Sequence, residues 1–301
     1  PMHEKRIREL IYENFPDMLV SLSSDVDPVF REYERTVVTA FDAYIKPTVD
    51  AYLSNLSQAL RRKNVGASLQ IMQSRGGLAG AETARIRPVR LFLSGPAGGV
   101  MGALSEGKAN NYNDLITVDI GGTSCDIALV NGAKPLIRQE GFIDKYMVRV
   151  PMVDVSAIGS GGGSIAWLDK AGGLKVGPHS AGSEPGPACY DRGGTQPTVT
   201  DASLVLGLID PDFFAGGRFN LNIDKAYNAI SEKIAKPLSL TVEEAALGIH
   251  KVLNAQMAEG IRFISIKQGF DPRDFVLMGL GGGGPLHACE LANELSIRKV
   301  L

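Results

Sequence analysis

Glycine is clustered in this chain, at 76–77, 98–99, 121–122, 161–163, 193–194, 216–217 and 281–284. A residue without a side chain costs backbone entropy. Such clusters persist where the backbone needs positive φ or must come close to a ligand or another backbone. Several tight loops gathered around a ligand are expected. The chain has 301 residues, 44% hydrophobic and 21% charged, and no long polar tract, so folded structure is expected from end to end.

The formal net charge is −2, with 31 basic and 33 acidic residues mixed along the chain. That balance gives no positive field able to track a nucleic acid. The basic run Arg61-Arg62-Lys63 reads as a solvated helix end. Cys125, Cys189 and Cys289 are far apart and lack zinc-ligand spacing, which suits reduced intracellular thiols. No apolar run is long enough for a membrane span, and the first residues lack a signal peptide's apolar core. A cytoplasmic protein that engages neither membrane nor nucleic acid is expected.

Periodicity predicts a short helix over 4–14 and a possible strand at Met18–Leu22. A helical pattern then runs from Val29 to Arg62, which Pro47 should kink or divide. A short strand is expected at Ser68–Met72. A small-residue stretch from Ser94 to Gly107 suits a helix that packs very close to a neighbour. Leu115–Asp119 and Asp126–Val130 read as the two strands of a glycine-tipped hairpin. Strand-like runs follow at 146–150, 153–158, 164–168 and 174–176. Helices are expected at about 202–208, 224–234, 242–260 and 285–295, the third opened by a Thr241/Glu244 capping box. Strand Phe275–Leu280 leads through Gly281–Gly284 to Pro285, which suits a first helical turn. The fold class is therefore mixed α/β. A nucleotide-binding domain is expected over 110–301, with a β-rich insertion at about 140–200, after a helical segment over 1–109.

Chemistry concentrates in Asp119-Ile-Gly-Gly-Thr-Ser-Cys-Asp126. A tip without side chains at Gly121 and Gly122 can set backbone N–H groups against phosphate oxygens, with Thr123 and Ser124 adding hydroxyl donors. Two flanking carboxylates would repel such a ligand unless they hold Mg²⁺ through water, and Asp119 is the first choice for that contact. Asp126 reads either as a second catalytic carboxylate or as a hairpin cap. Cys125 should pack between the strands. The strand–helix junction Gly281, Gly282, Gly283 and Gly284 presents free amides and the positive end of a helix dipole, suited to a nucleotide. His287 beyond it either approaches that ligand or lies on the helix surface. Gly159–Gly163, with Ser160 and Ser164, reads as a third ligand-facing loop or as a tight turn beside Trp167. His179, in a Gly/Pro-rich stretch, is the best acid/base candidate because an imidazole titrates near neutrality; a structural loop role is the alternative. Asp201 most simply caps a helix.

The order of these elements resembles the second half of the ATPase fold shared by actin, sugar kinases and heat-shock chaperones. In that fold a small-residue connecting helix precedes the second phosphate hairpin and the adenosine loop comes last. The resemblance implies a ribonuclease H-like, actin-like second lobe. The first phosphate hairpin has no counterpart before residue 94, so a missing N-terminal lobe is implied. A finer resemblance runs through Met72–Gly77, Leu93–Gly99, Asp119–Asp126, Val150–Asp154, Gly159–Trp167, Val176–Gly182, Glu184–Tyr190, Gly193–Asp201 and Gly269–Asp274. Together they resemble the hydantoinase A/oxoprolinase family.

That resemblance implies ATP and Mg²⁺ as cofactors and ATP-dependent ring opening of a small cyclic amide, of hydantoin or 5-oxoproline type, through phosphorylation of its carbonyl oxygen. It also implies a possible hydantoinase B-type partner subunit. Two alternatives stand beside it: a subunit of an ATP-dependent ketone carboxylase, and a non-catalytic nucleotide-binding module, since half of the cleft is absent.

Overall fold

The computed structural model describes residues 1–301, which separate into two compact units: Pro1–Gly102 with Pro135–Asp154, and Ala103–Lys134 with Val155–Leu301. Residues 135–154, part of which the sequence reading gave to the insertion, thus group with the N-terminal segment.

In the first unit, helix Met2–Asn14 is followed by the long helix Glu32–Arg62. Met18–Leu22 forms no strand. Its polar groups are held by the long helix instead: Val20 C=O accepts from Lys46 Nζ at 3.2 Å and Ser21 Oγ donates to Asp42 at 2.6 Å. Pro47 lies inside the long helix without dividing it. Burial of Val38 and Asp42 before the proline and Leu53 after it holds the helix on both sides, and packing overrides the lost backbone hydrogen bond. Strands Gln70–Met72 and Leu78–Gly80 form a small antiparallel hairpin. A core of Val26, Val38, Val89, Val148, Val150 and Met152 closes the unit. Helix Ser94–Ala109 begins in this unit and ends in the second.

The second unit is built on a sheet in the order Val155–Ile158, Cys125–Asn131, Leu115–Ile120, Val276–Leu280. The first three strands pair antiparallel with one another and the last is parallel to Leu115–Ile120. Ile116, Ile120, Ile127 and Leu129 on one face and Leu115 and Val130 on the other are fully buried, as expected for central strands covered on both faces. Each such side chain contributes about 2 kcal/mol of burial energy. Gly107, near the end of the connecting helix, lies so close to this sheet that a Cβ would stand 2.6 Å from Leu115 Cδ1, which accounts for the small residue there. The long helix Val242–Lys267 opens with the expected Thr241/Glu244 capping box. Its Gly260 sits against Ile158 and Ile127, where a Cβ would meet them at 3.2–3.5 Å. Helix Gly284–Leu295 carries Pro285 in its first turn.

This topology has one consequence for function. Leu115–Ile120, Val155–Ile158 and Val276–Leu280 all finish at the same edge of the sheet, where Cys125–Asn131 begins. The loops that leave that edge are Gly121–Ser124, Gly159–Gly163 and Gly281–Gly284. Three glycine clusters are thus brought side by side by strand order alone.

Candidate functional site

The hairpin tip is the centre of this edge. Gly121 N–H donates to Ser124 C=O at 3.0 Å and closes the turn. The amides of Gly122, Thr123 and Ser124 and the hydroxyls of Thr123 and Ser124 make no hydrogen bond within the chain. Gly122 and Thr123 are exposed. A cluster of convergent, unused donors on a tip with no side chain at 121 or 122 is what an anion of phosphate size requires.

Both flanking glycine loops press on this tip. On one side Gly162 N–H donates to Gly121 C=O at 3.0 Å and Gly163 N–H to Gly122 C=O at 2.6 Å. These bonds occupy the tip's carbonyls and leave its amides free. A Cβ on Gly161 would lie 2.8–2.9 Å from Gly121 O, Gly122 C and Ser124 N, so only glycine allows the approach. Thr200 anchors this loop, donating from both N and Oγ1 to Gly162 C=O at 2.8 Å. On the other side Gly283 N–H donates to Ile120 C=O at 3.0 Å. Gly281 has φ +73°, and a Cβ there would strike Asp119 Oδ1. Gly159–Gly163 is thus both a tight turn and part of the edge.

Asp119 and Asp126 are register partners across the hairpin, and Asp119 also faces Leu280 of the parallel strand. Both are half-buried. Burial, and secondly the charge of Asp119, hold the Asp126 carboxyl above its ordinary value. No cluster of three or more His, Cys, Asp or Glu gathers in the chain. A divalent cation at Asp119 would therefore complete its shell with water and ligand oxygens, the usual habit of magnesium. Cys125 is fully buried between the strands, as expected, and its thiol is pushed up to about 12, mainly by burial.

The other candidates lie outside the hairpin. His179 is an exposed residue of strand Leu174–Ser180 without a hydrogen-bond or ionic partner in the chain. Asp201 is wholly buried. It completes the capping box of helix Val199–Val205, whose N-cap is Thr198, and also accepts from Ala188 N at 3.2 Å and Cys189 N at 2.7 Å. The helix therefore starts three residues before the 202 expected from periodicity. His287 is neither at the ligand edge nor on the helix surface. It is 1% exposed and stacks on His250, with Nδ1 donating to Asn254 Oδ1 at 2.7 Å. The hydroxyl proton of Ser203 goes to Val199 C=O, so His250 Nε2–H donates to Ser203 Oγ at 2.8 Å. No sequence signal marks this pair, because the two histidines are 37 positions apart and only helix packing brings them together.

Fold and site together define an α/β protein with three glycine loops set side by side along one sheet edge. The sequence model of the hydantoinase/oxoprolinase family matches residues 35–301, and the chain belongs to that family. It is 41% identical over its whole length to caprolactamase subunit alpha of Pseudomonas jessenii, of which it covers 43%. To the acetophenone carboxylase gamma subunit of Aromatoleum aromaticum it is likewise 41% identical, over 98% of this chain and 41% of that subunit. The crystal structure of the ATP-dependent caprolactamase from Pseudomonas jessenii superposes with a TM-score of 0.83, over all of this chain and 43% of that one. The chain thus spans less than half the length of these relatives. No helix is long and apolar enough to cross a membrane.

Proposed function

We propose that this chain supplies the phosphate-binding lobe of an ATP-dependent enzyme that opens a small cyclic amide. The observation that carries this reading is the hairpin tip, whose unused amides and hydroxyls at Gly122, Thr123 and Ser124 are flanked by two glycine loops. ATP phosphates sit on that tip, and the adenosine lies toward Gly281–Gly284 beside the start of helix Gly284–Leu295. The antiparallel hairpin joined to a parallel strand supports an actin-like second lobe, with the facing lobe supplied from outside this chain.

Asp119, with Asp126 beside it, would hold Mg²⁺ through water, and the cation would supply charge neutralisation for the phosphates. The amide carbonyl oxygen attacks the γ-phosphorus and ADP leaves. Water then attacks the activated carbon, the ring C–N bond breaks to release the amine and leave an acyl phosphate, and a second water displaces phosphate to give the carboxylate. The protein's part is positioning and charge neutralisation. His179 is the candidate to move the proton of the attacking water. A B-type subunit completes the assembly, a role supported by relatives that are themselves named as subunits.

The test is ADP formation by the full-length protein with any partner subunit, measured with hydantoin, 5-oxoproline and caprolactam. Turnover coupled to ring opening is expected for at least one, and its absence for all would sink the hydrolase reading. Coupling to acetone or acetophenone instead would favour the carboxylase branch, which the acetophenone carboxylase relative supports. For the chain alone, its coverage of less than half of each relative favours nucleotide binding without turnover. Calorimetric titration with Mg-ATP should then give saturable heat and no phosphate release.

A further inference from the structure

Behind the Gly159–Gly163 loop lies a cavity of about 400 Å³ that the nucleotide reading leaves unused. Its walls include Ser160, Trp167, Lys175, Val176, Pro178 and Gln256. The loop therefore has two sides: Gly161–Gly163 press on the phosphate hairpin, while Gly159 and Ser160 line the cavity.

Three features give the cavity a chemical character. Trp167 is fixed, its indole Nε1–H donating to Gly177 C=O at 2.8 Å, yet it remains 42% exposed. An anchored, half-open aromatic side chain is a stacking platform. Gln256 is also fixed, its Nε2 donating to Val176 C=O at 3.2 Å. That bond uses the amide's nitrogen and leaves Oε1 as an acceptor without a partner. Ser160 is only 6% exposed, and its hydroxyl neither donates nor accepts a hydrogen bond within the chain. An unpartnered hydroxyl at a cavity wall is free to donate to a ligand or accept from one. Lys175 is engaged with Asp169 at 3.7 Å and adds no free charge to the pocket.

We infer that this cavity is the ring subsite, taking a small uncharged cyclic amide through Trp167, Ser160 and Gln256. This rests on the proposed function and adds the location and chemistry of the acceptor's binding. A lactam-type ring presents one N–H and one C=O. Gln256 Oε1 accepts from the first, Ser160 Oγ–H donates to the second, and the indole covers the ring. The position agrees with the order of loops along the sheet edge. The adenosine loop stands on one side of the hairpin and the cavity on the other.

Trp167 is the chain's single tryptophan, so its emission reports this cavity alone. The 301-residue chain is titrated with hydantoin, 5-oxoproline and caprolactam, with and without Mg-ATP, and Mg-ATP binding is measured separately by calorimetry. Saturable change in Trp167 emission is expected with at least one ring. Ser160→Ala and Gln256→Leu should each weaken it about ten-fold, the loss of one hydrogen bond. Mg-ATP affinity should be unchanged in both variants. A variant that fails to fold leaves the parent titration to decide. No saturable change with any ring, or the same change with adenosine alone, overturns the assignment. If Mg-ATP still binds in that case, the phosphate reading survives; if rings bind and Mg-ATP does not, the phosphate reading fails instead.

Discussion

His250 and His287 stack with ring centroids 4.7 Å apart and planes 18° from parallel, in the buried seam between the long helix and the helix that leaves the Gly281–Gly284 loop. Burial holds His250 down to about 4; burial, and secondly the charge of His250, hold His287 down to about 3. Both are neutral in the folded chain near pH 6, whereas the unfolded chain protonates them below about 6.5. Because the folded values are depressed, the stability they contribute is complete above pH 6.5 and is lost as pH falls toward 4 and then 3. The slope is up to about 1.4 kcal/mol per pH unit for each histidine. Urea melts at pH 7 and pH 5 should show this loss. His250→Gln, which keeps a donor for Ser203 but cannot titrate, should halve the slope; an unchanged slope would assign the acid sensitivity to carboxylates.

Asp126 shows the opposite sign. Its folded value is raised by burial and by Asp119, so its contribution is present at low pH and is lost as pH rises through that raised value. At neutral pH the Asp119/Asp126 pair is a standing repulsion. Asp126→Asn should therefore raise the melting temperature of the ligand-free chain at pH 7, with the gain disappearing below about pH 3.8. The same variant should lower ATP turnover of the full-length protein. A variant both more stable and less active would mark the pair as a functional strain, whereas one that is less stable would mark Asp126 as a structural cap.

Asp201 is a structural carboxylate with a measurable cost. It accepts from the backbone of Ala188, Cys189 and Thr198 and from the Thr198 hydroxyl while wholly buried. Asp201→Ala leaves these buried donors without an acceptor, at about 3 kcal/mol or more. Denaturant melts should find that loss, while calorimetry on the folded fraction should find Mg-ATP binding intact. Lost binding in a folded variant would put Asp201 in the site.

Much of this edge was legible in the sequence because its elements are local. The hairpin, the strand entering Gly281–Gly284 and the Thr241/Glu244 box each lie within a dozen residues, where period and turn chemistry suffice. What escaped depended on distant partners. Met18–Leu22 has strand composition but no strand to pair with, and Pro47 is tolerated because residues far from it pack the helix. The contact of Gly161 with Gly121 and Gly122, and the facing of His250 and His287, follow from strand order and helix packing. No spacing rule supplies those.

The glycines offer the sharpest separation of fold from function. At Gly122 a Cβ would meet nothing within 4 Å and the backbone is outside the positive-φ region, so Gly122→Ala should fold with stability within about 0.5 kcal/mol of the parent. Yet the new methyl stands on the tip where phosphate oxygens must meet bare amides, and Mg-ATP affinity should fall about ten-fold or more. At Gly161 the same methyl would press on hairpin backbone at 2.8–2.9 Å, so Gly161→Ala should lose about 1–3 kcal/mol of stability with or without nucleotide. Thermal melts and calorimetry on both variants decide the matter. If Gly122→Ala binds Mg-ATP as the parent does, the hairpin tip is a structural turn and the phosphate must sit elsewhere along the edge.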